Sequence, residues 1–375
     1  MSLPSRTQSH VKVPFNNLVL QWRQIESEVL PELKLLFETS AFSLGRWVDR
    51  FENEMCSYLG ALHAIGVNSG TSALHLATIA AGITPGDKVL VPANTFVATA
   101  WAVLYVGGEP VFCDVDPASW TIDLSDAERR LSSDVKAIFA VHLYGQPAKM
   151  GAITAFAKNY GLAVIEDVAQ AVGARYGSRA LGTIGEVGCF SFYPGKNLGA
   201  AGEAGLVVVG DEAMARRIRA LRHHAQSERY VHSELGFNYR MEGIQALILS
   251  HKLKMLDKWT NERRRVASCY MAELIGLPLE LPAIVNGDHV WHLFVVHTRD
   301  RDRLRARLAD LNIETGLHYA LPLHRQPCFA KLPMDRSSYP NADRSGRECL
   351  SLPIFPGMTD VQIDAVIAGV RSFFK

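Results

Sequence analysis

A chain of 375 residues, 48% of them apolar, can bury one large core with a smaller one beside it, and wholesale disorder is excluded. Its 39 Lys and Arg nearly cancel 38 Asp and Glu, which removes any global pull toward nucleic acid or anionic membranes and leaves anion binding to a local site. Six cysteines without a CxxC pair argue against a zinc ribbon or disulfide scaffold. No apolar run is long enough to span a bilayer, and the opening MSLPSRTQSHVKVPFNN has no signal-peptide core, so the cytoplasm is the expected compartment.

In chain order, the residues up to about 13 are polar, and amphipathic spacing predicts a helix from Leu20 to Glu38. WVDRFENEMCSYLG predicts a second helix that ends at Gly60. Short runs rich in Val, Ile and Ala then alternate with helical stretches: HAIGV, KVLVP, EPVFCDV, AIFAVHL, LAVIED, GCFSF and AGLVVVG. Such runs read as strands buried on both faces of a mostly parallel sheet, the last two forming either an antiparallel edge or a hairpin. From Glu242 one or two long helices are expected, and HVWHLFVVHT, RDRLRARLADLNI and LPLHRQPCF point to a small α+β unit. The expectation is an α/β fold: a large domain over 1–248 and a small C-terminal domain over 249–375.

Four stretches carry chemistry. GVNSGTSALHLA sets Ser69, Gly70 and Thr71 between a strand and a helix, where free N–H groups and the helix dipole suit a phosphate. PANTFVATAWAV puts Phe96 after a strand, able to stack on a flat ring. LAVIEDVAQAVGA ends a strand on Glu166 and Asp167, at the edge where open parallel sheets take ligands. A carboxylate buried there needs a cation, and a protonated pyridine nitrogen is one. GCFSFYPGKNLGAAGEAG holds one lysine, Lys196, in a Gly- and aromatic-rich loop, with Ser191 before it within reach of the same phosphate. Each stretch alone has a plainer reading: an N-cap turn, a core aromatic, a helix-capping Asp, a surface lysine.

Together they follow the order found in fold-type I enzymes of pyridoxal 5′-phosphate (PLP). The chain resembles the DegT/StrS-type aminotransferases, which act on nucleotide-linked keto sugars, from PFNNL through SGTSAL, EDVAQA, SFYPGKNLG and GFNYRM to HYALPLHRQP and LSLPIFP. The resemblance implies a fold-type I PLP transferase with a mostly parallel mixed sheet between helices and a small α+β domain. It implies that Lys196 carries the cofactor and that Asp167 partners its ring nitrogen. Gln170 would lie near the ring oxygen, Phe96 against the ring, and Gly70, Thr71 and Ser191 on the phosphate. Asn238 is similar to an asparagine that reaches the neighbouring subunit's phosphate, which implies a homodimer with shared active sites. Val168, Val172, Ala204 and Ala225 depart from the family's usual residues and touch packing and specificity rather than the cofactor.

The expected reaction moves an amino group from an amino acid, glutamate by resemblance, to a nucleotide-linked keto sugar. YPGKNLGA resembles the branch that aminates a dTDP-linked 3-keto-6-deoxyhexose at C3. Tyr193, His318, Tyr319, His324 and Arg229 are candidate substrate contacts, although His318 and Tyr319 can equally pack the small domain on the large one. Alternatives are a UDP-linked 2-acetamido-3-keto-uronic acid, whose carboxylate would need a cation such as Arg229, or a 4-keto-6-deoxy sugar nucleotide. A PLP-dependent sugar dehydratase commonly has histidine where Lys196 stands, and a regulatory PLP-binding protein would not need the full set. His289, His292 and His297 do not share one face, so no metal is expected.

Overall fold

The computed structural model describes residues 11–285, 287–334, 336 and 338–375. Its strands are β1 (His63–Val67), β2 (Lys88–Pro92), β3 (Glu109–Cys113), β4 (Val135–Val141), β5 (Ala163–Asp167), the two-residue pair β6 (Arg175–Tyr176) and β7 (Arg179–Ala180), β8 (Val187–Ser191) and β9 (Gly205–Val209). They continue with β10 (Gln226–Glu228), β11 (Val231–His232), β12 (Phe294–His297) and β13 (Cys349–Leu352). Seven form one sheet in the order β1-β9-β8-β5-β4-β2-β3. Only β9 runs against its neighbours, pairing antiparallel with β8 and β1. The last two expected strands therefore do form an antiparallel pair, with β1 rather than β9 at the sheet's edge.

Alternation along the strands explains why the sheet is covered on both sides. Ala64, Leu90, Ile138, Val164, Phe190 and Leu206 enter one apolar cluster, while Ile65, Val91, Phe139, Ile165, Cys189 and Val207 enter the other. A third cluster, with Tyr270, Phe294, Leu304, Leu350 and Val366, forms the core of the smaller C-terminal unit around the β12–β13 pair. Val13 belongs to it through a bridge to Ile313, while residues 1–10 lie outside the described residues. Residue 248 lies inside the helix Gly243–Leu253, whose buried side chains join the large unit's core.

One helical expectation differs from the structure. The span from Leu20 to Glu38 is not one helix but two, Leu18–Trp22 and Glu26–Glu38. Gln24 ends the first by giving its side-chain amide to the Leu20 carbonyl at 3.0 Å, meeting an acceptor left open at the helix end. The region after Glu242 is also two helices, Gly243–Leu253 and Leu256–Leu274. The helix ending at Gly60 is Arg46–Leu59, capped by Gly60 at φ +68°.

Parallel strands bring their C-terminal ends to one edge. The register sets Val141 beside Asp167, Asp167 beside Cys189, and Ser191 beside Gly205, which pairs with Val67. The four chemical stretches of the sequence all leave the sheet along this row.

Candidate active site

The site is assembled around Asp167. One carboxylate oxygen accepts a hydrogen bond from the Thr99 hydroxyl at 2.8 Å and the other from the Ala169 N–H at 3.1 Å. The capping role open to an Asp at this place is thus present, and it leaves further lone pairs for a cation. Glu166 points to the opposite face of the strand. It is fully buried and accepts bonds from the Gly182, Ile184 and Gly185 N–H groups and from His142. These donors hold its carboxyl below the usual range despite the cost of burial, so Glu166 is an anchor for the 182–185 turn.

Lys196 sits in a closed loop. The Ala200 N–H bonds to the Phe192 carbonyl at 2.8 Å, and the Lys196 N–H to that of Tyr193 at 2.9 Å. The lysine is half-buried, and loss of hydration lowers its ammonium to about 8, with Asp167 opposing the shift. A neutral amine is therefore accessible near physiological pH, which a surface-loop lysine does not offer.

The phosphate stretch forms the N-terminus of the helix Gly70–Ala80, with Ser69 as N-cap accepting from the Ser72 N–H at 3.1 Å. Ser191 lies directly against it: a Cβ on Gly70 would stand 2.6 Å from the Ser191 Cβ. Only glycine lets the two approach, and the approach sets a hydroxyl beside open helical N–H groups.

Aromatic and imidazole groups close the top. Phe96 is 53% exposed, not a core aromatic, and its ring lies 5.9 Å from that of Tyr319. Gln170 gives its amide to the Tyr319 hydroxyl at 3.0 Å while its oxygen accepts from the Tyr144 N–H at 2.6 Å. The Tyr144 hydroxyl in turn donates to the His318 carbonyl. His318 stays neutral because burial and the nearby Lys196 lower its imidazole to about 4. His318 and Tyr319 thus join the small unit to the large one, and His318 also lies near the lysine. Tyr193 is 54% exposed beside Lys196.

Three sequence candidates stand elsewhere or face outward. His324 is buried, with its ring on Tyr339 and Nε2 on Asp343 at 2.9 Å. Arg229 lies over the Tyr230 ring in the turn between β10 and β11. Asn238 has an exposed side chain, and its carbonyl accepts from the Asn68 amide at 3.3 Å, next to the phosphate stretch. His289 accepts from the Trp291 N–H, His292 contacts Asn197, and His297 stacks on Trp120, so the three histidines diverge. Among the described residues no group of three or more His, Cys, Asp or Glu could hold a metal ion.

Sequence reasoning missed Thr99, Tyr144, Asn197 and His292. Thr99 had the faint signal of following Phe96 by one helical turn, and Asn197 of following the lysine. The assembled groups fit PLP: an amine with a lowered ammonium, a carboxylate with spare lone pairs, a glycine-opened helix end beside a hydroxyl, and an exposed aromatic face.

The comparisons agree. The sequence model of the DegT/DnrJ/EryC1/StrS aminotransferase family matches residues 23–371. A Geobacillus stearothermophilus protein called pleiotropic regulatory protein is 40% identical over 97% of this chain and 99% of its own length. A UDP-N-acetyl-3-dehydro-alpha-D-glucosamine 3-aminotransferase of Acidithiobacillus ferrooxidans is 39% identical, covering 96% of this chain and 97% of its own. A dTDP-3-amino-3,4,6-trideoxy-alpha-D-glucose transaminase of Streptomyces venezuelae is 39% identical over 96% of each chain. The crystal structure of S. venezuelae DesV with a ketimine intermediate matches with a TM-score of 0.94 and 39% identity, over 97% of this chain and 99% of that one.

Proposed function

The chain belongs to the DegT/DnrJ/EryC1/StrS aminotransferase family, and from that premise we propose that it aminates C3 of a dTDP-linked 3-keto-6-deoxyhexose with glutamate as donor. Its cofactor is PLP, which when bound supplies an aldehyde for covalent capture of amines and a pyridine ring that draws electrons from the reacting carbon. Lys196 would hold the aldehyde carbon at rest and, once displaced by the donor, take the proton from the donor's Cα with its freed amine. Its lowered ammonium suits that task, because the base form is populated near neutral pH. Asp167, oriented by Thr99, would keep the ring nitrogen protonated. Gly70, Thr71 and Ser191 would hold the phosphate, and Phe96 would cover the ring. Gln170 would bond the ring oxygen and Tyr319 would steady it from the sugar side.

The observation that carries the reaction type is the placement of Lys196 and Tyr319 around Asp167, whose charge acts on the ionisation of both. Position C3 is supported by the two transaminase relatives, whose names both place the amino group there. Tyr193, His318 and Tyr319 would face the sugar. His324, packed on Asp343, would act at most through the fold, and Arg229 lies over Tyr230 on the β10–β11 ribbon.

The test has two parts. Borohydride should fix the yellow cofactor to Lys196, located by peptide mapping, and an adduct on another lysine refutes its role. Product mass spectrometry with dTDP-linked 3-keto and 4-keto 6-deoxyhexoses and a UDP-linked 2-acetamido-3-keto sugar should show turnover chiefly of the first. Preference for the 4-keto compound would refute C3, and preference for the UDP compound would move the substrate to that alternative. Absence of any amino sugar from a loaded protein would favour a regulatory role.

A further inference from the structure

The Lys196 loop is tied to the rest of the site through the residue that follows the lysine. Asn197 is buried, and its amide nitrogen donates to the Val290 carbonyl at 3.0 Å. Its oxygen is thereby turned toward His292, whose Nδ1 lies 3.2 Å away. An amide oxygen only accepts, so Nδ1 must carry the proton, and in the neutral ring Nε2 does not.

The histidine is itself held rigidly. Arg263, fully buried, donates to the carbonyls of Trp291 at 3.3 Å, His292 at 3.4 Å and Ile354 at 2.8 Å. On either side, the Val290 N–H bonds to the Gly145 carbonyl at 3.0 Å and the Leu293 N–H to that of Tyr144 at 3.2 Å. Tyr144 also holds Gln170, so one segment links the lysine loop to the residue that would bond the ring oxygen. Burial, and after it the neighbouring Lys196, Arg263, His318 and His289, holds the imidazole well below its ordinary value. At neutral pH it is a single neutral tautomer, a fixed donor aimed at Asn197.

We propose that His292 is a positioning residue for the catalytic lysine: its Nδ1–H orients Asn197 and so fixes the turn that presents the Lys196 amine to the substrate. This rests on Lys196 being the cofactor-bearing lysine. Misplacing a reacting group by about 1 Å is enough to cost on the order of a hundredfold in rate, so a tether one residue away has leverage.

The test compares holoenzymes carrying His292→Leu, which has no donor, and His292→Asn, whose amide nitrogen stands close to where Nδ1 stands. His292→Leu should lower kcat roughly thirtyfold, leave the donor's KM within about threefold, and weaken the visible circular dichroism of the bound cofactor. His292→Asn should restore most of both signals. Unchanged kcat and dichroism in His292→Leu overturn the proposal, as does an Asn variant no better than Leu. Should His292→Leu fail to fold, His292→Gln replaces it, because its amide reaches the Nε2 position instead; equal rates for Asn and Gln overturn the proposal. A borohydride adduct on a lysine other than Lys196 removes the proposal together with the reading beneath it. An adduct on Lys196 with indifferent His292 variants removes the proposal alone.

Discussion

Asp167 shows what one residue decides. Thr99 donates to one of its oxygens and the Ala169 N–H to the other, so its orientation is set before any ligand arrives. Asp167→Asn preserves shape and much of that bonding but loses the charge needed to keep a ring nitrogen protonated. Turnover should fall on the order of a hundredfold or more, with the far-ultraviolet dichroism unchanged; near-normal turnover would remove Asp167 from the mechanism. Lys196, Asp167 and Phe96 were singled out by their order along the chain and the resemblance that order supports, since each alone has a plainer reading, and the fold sets all three near the carboxyl ends of the strands. Thr99 and His292 were not. A threonine inside an apolar helix and a histidine entering a strand look like packing, and their partners lie 68 and 95 residues away in the chain. His324 stood in the sequence as a candidate substrate contact, but the fold turns its ring onto Tyr339 and Asp343.

Among the elements, strands of the main sheet were legible because each is an apolar run buried on both faces. The β10–β11 ribbon was not, since QSERYVH is polar and pairs outside the core. The ribbon leaves the helix Glu212–Leu221 through His224 and Ala225, at φ +60° and +51°. For Ala225 that left-handed backbone costs about 1–2 kcal/mol, while the extra freedom of an unfolded glycine costs about 0.5–1 kcal/mol. Ala225 stands where the family usually has glycine, and the balance of the two terms favours glycine. Ala225→Gly should therefore stabilise the protein by about 0.5–1 kcal/mol in denaturant unfolding. A destabilised variant would mean that the buried Ala225 methyl group contributes more by packing than its backbone costs.

At the scale of the whole molecule, the single chain leaves apolar surface without cover. Tyr230 is 78% and Leu235 92% exposed on and after the ribbon, and Asn238 follows with its side chain outward. If these side chains form part of a contact surface, its commonest occupant would be a second copy related by a two-fold axis. The Asn238 carbonyl bonds to Asn68 of its own chain, beside the phosphate stretch, so the asparagine can serve its own site or a partner's. Complementation separates the two. Lys196→Ala removes the lysine, and Asn238→Asp sets a negative charge against a phosphate, so each protein should be nearly inactive alone. In mixed dimers formed at random, half the molecules pair one variant with the other. If Asn238 acts across the interface, each such dimer carries one site with both defects and one intact site, and activity recovers to about a quarter of the wild-type value. If Asn238 acts within its own chain, every site keeps a defect and the mixture stays inactive. A protein that sediments as a monomer while fully active would exclude the shared arrangement and leave Asn238 to its own site.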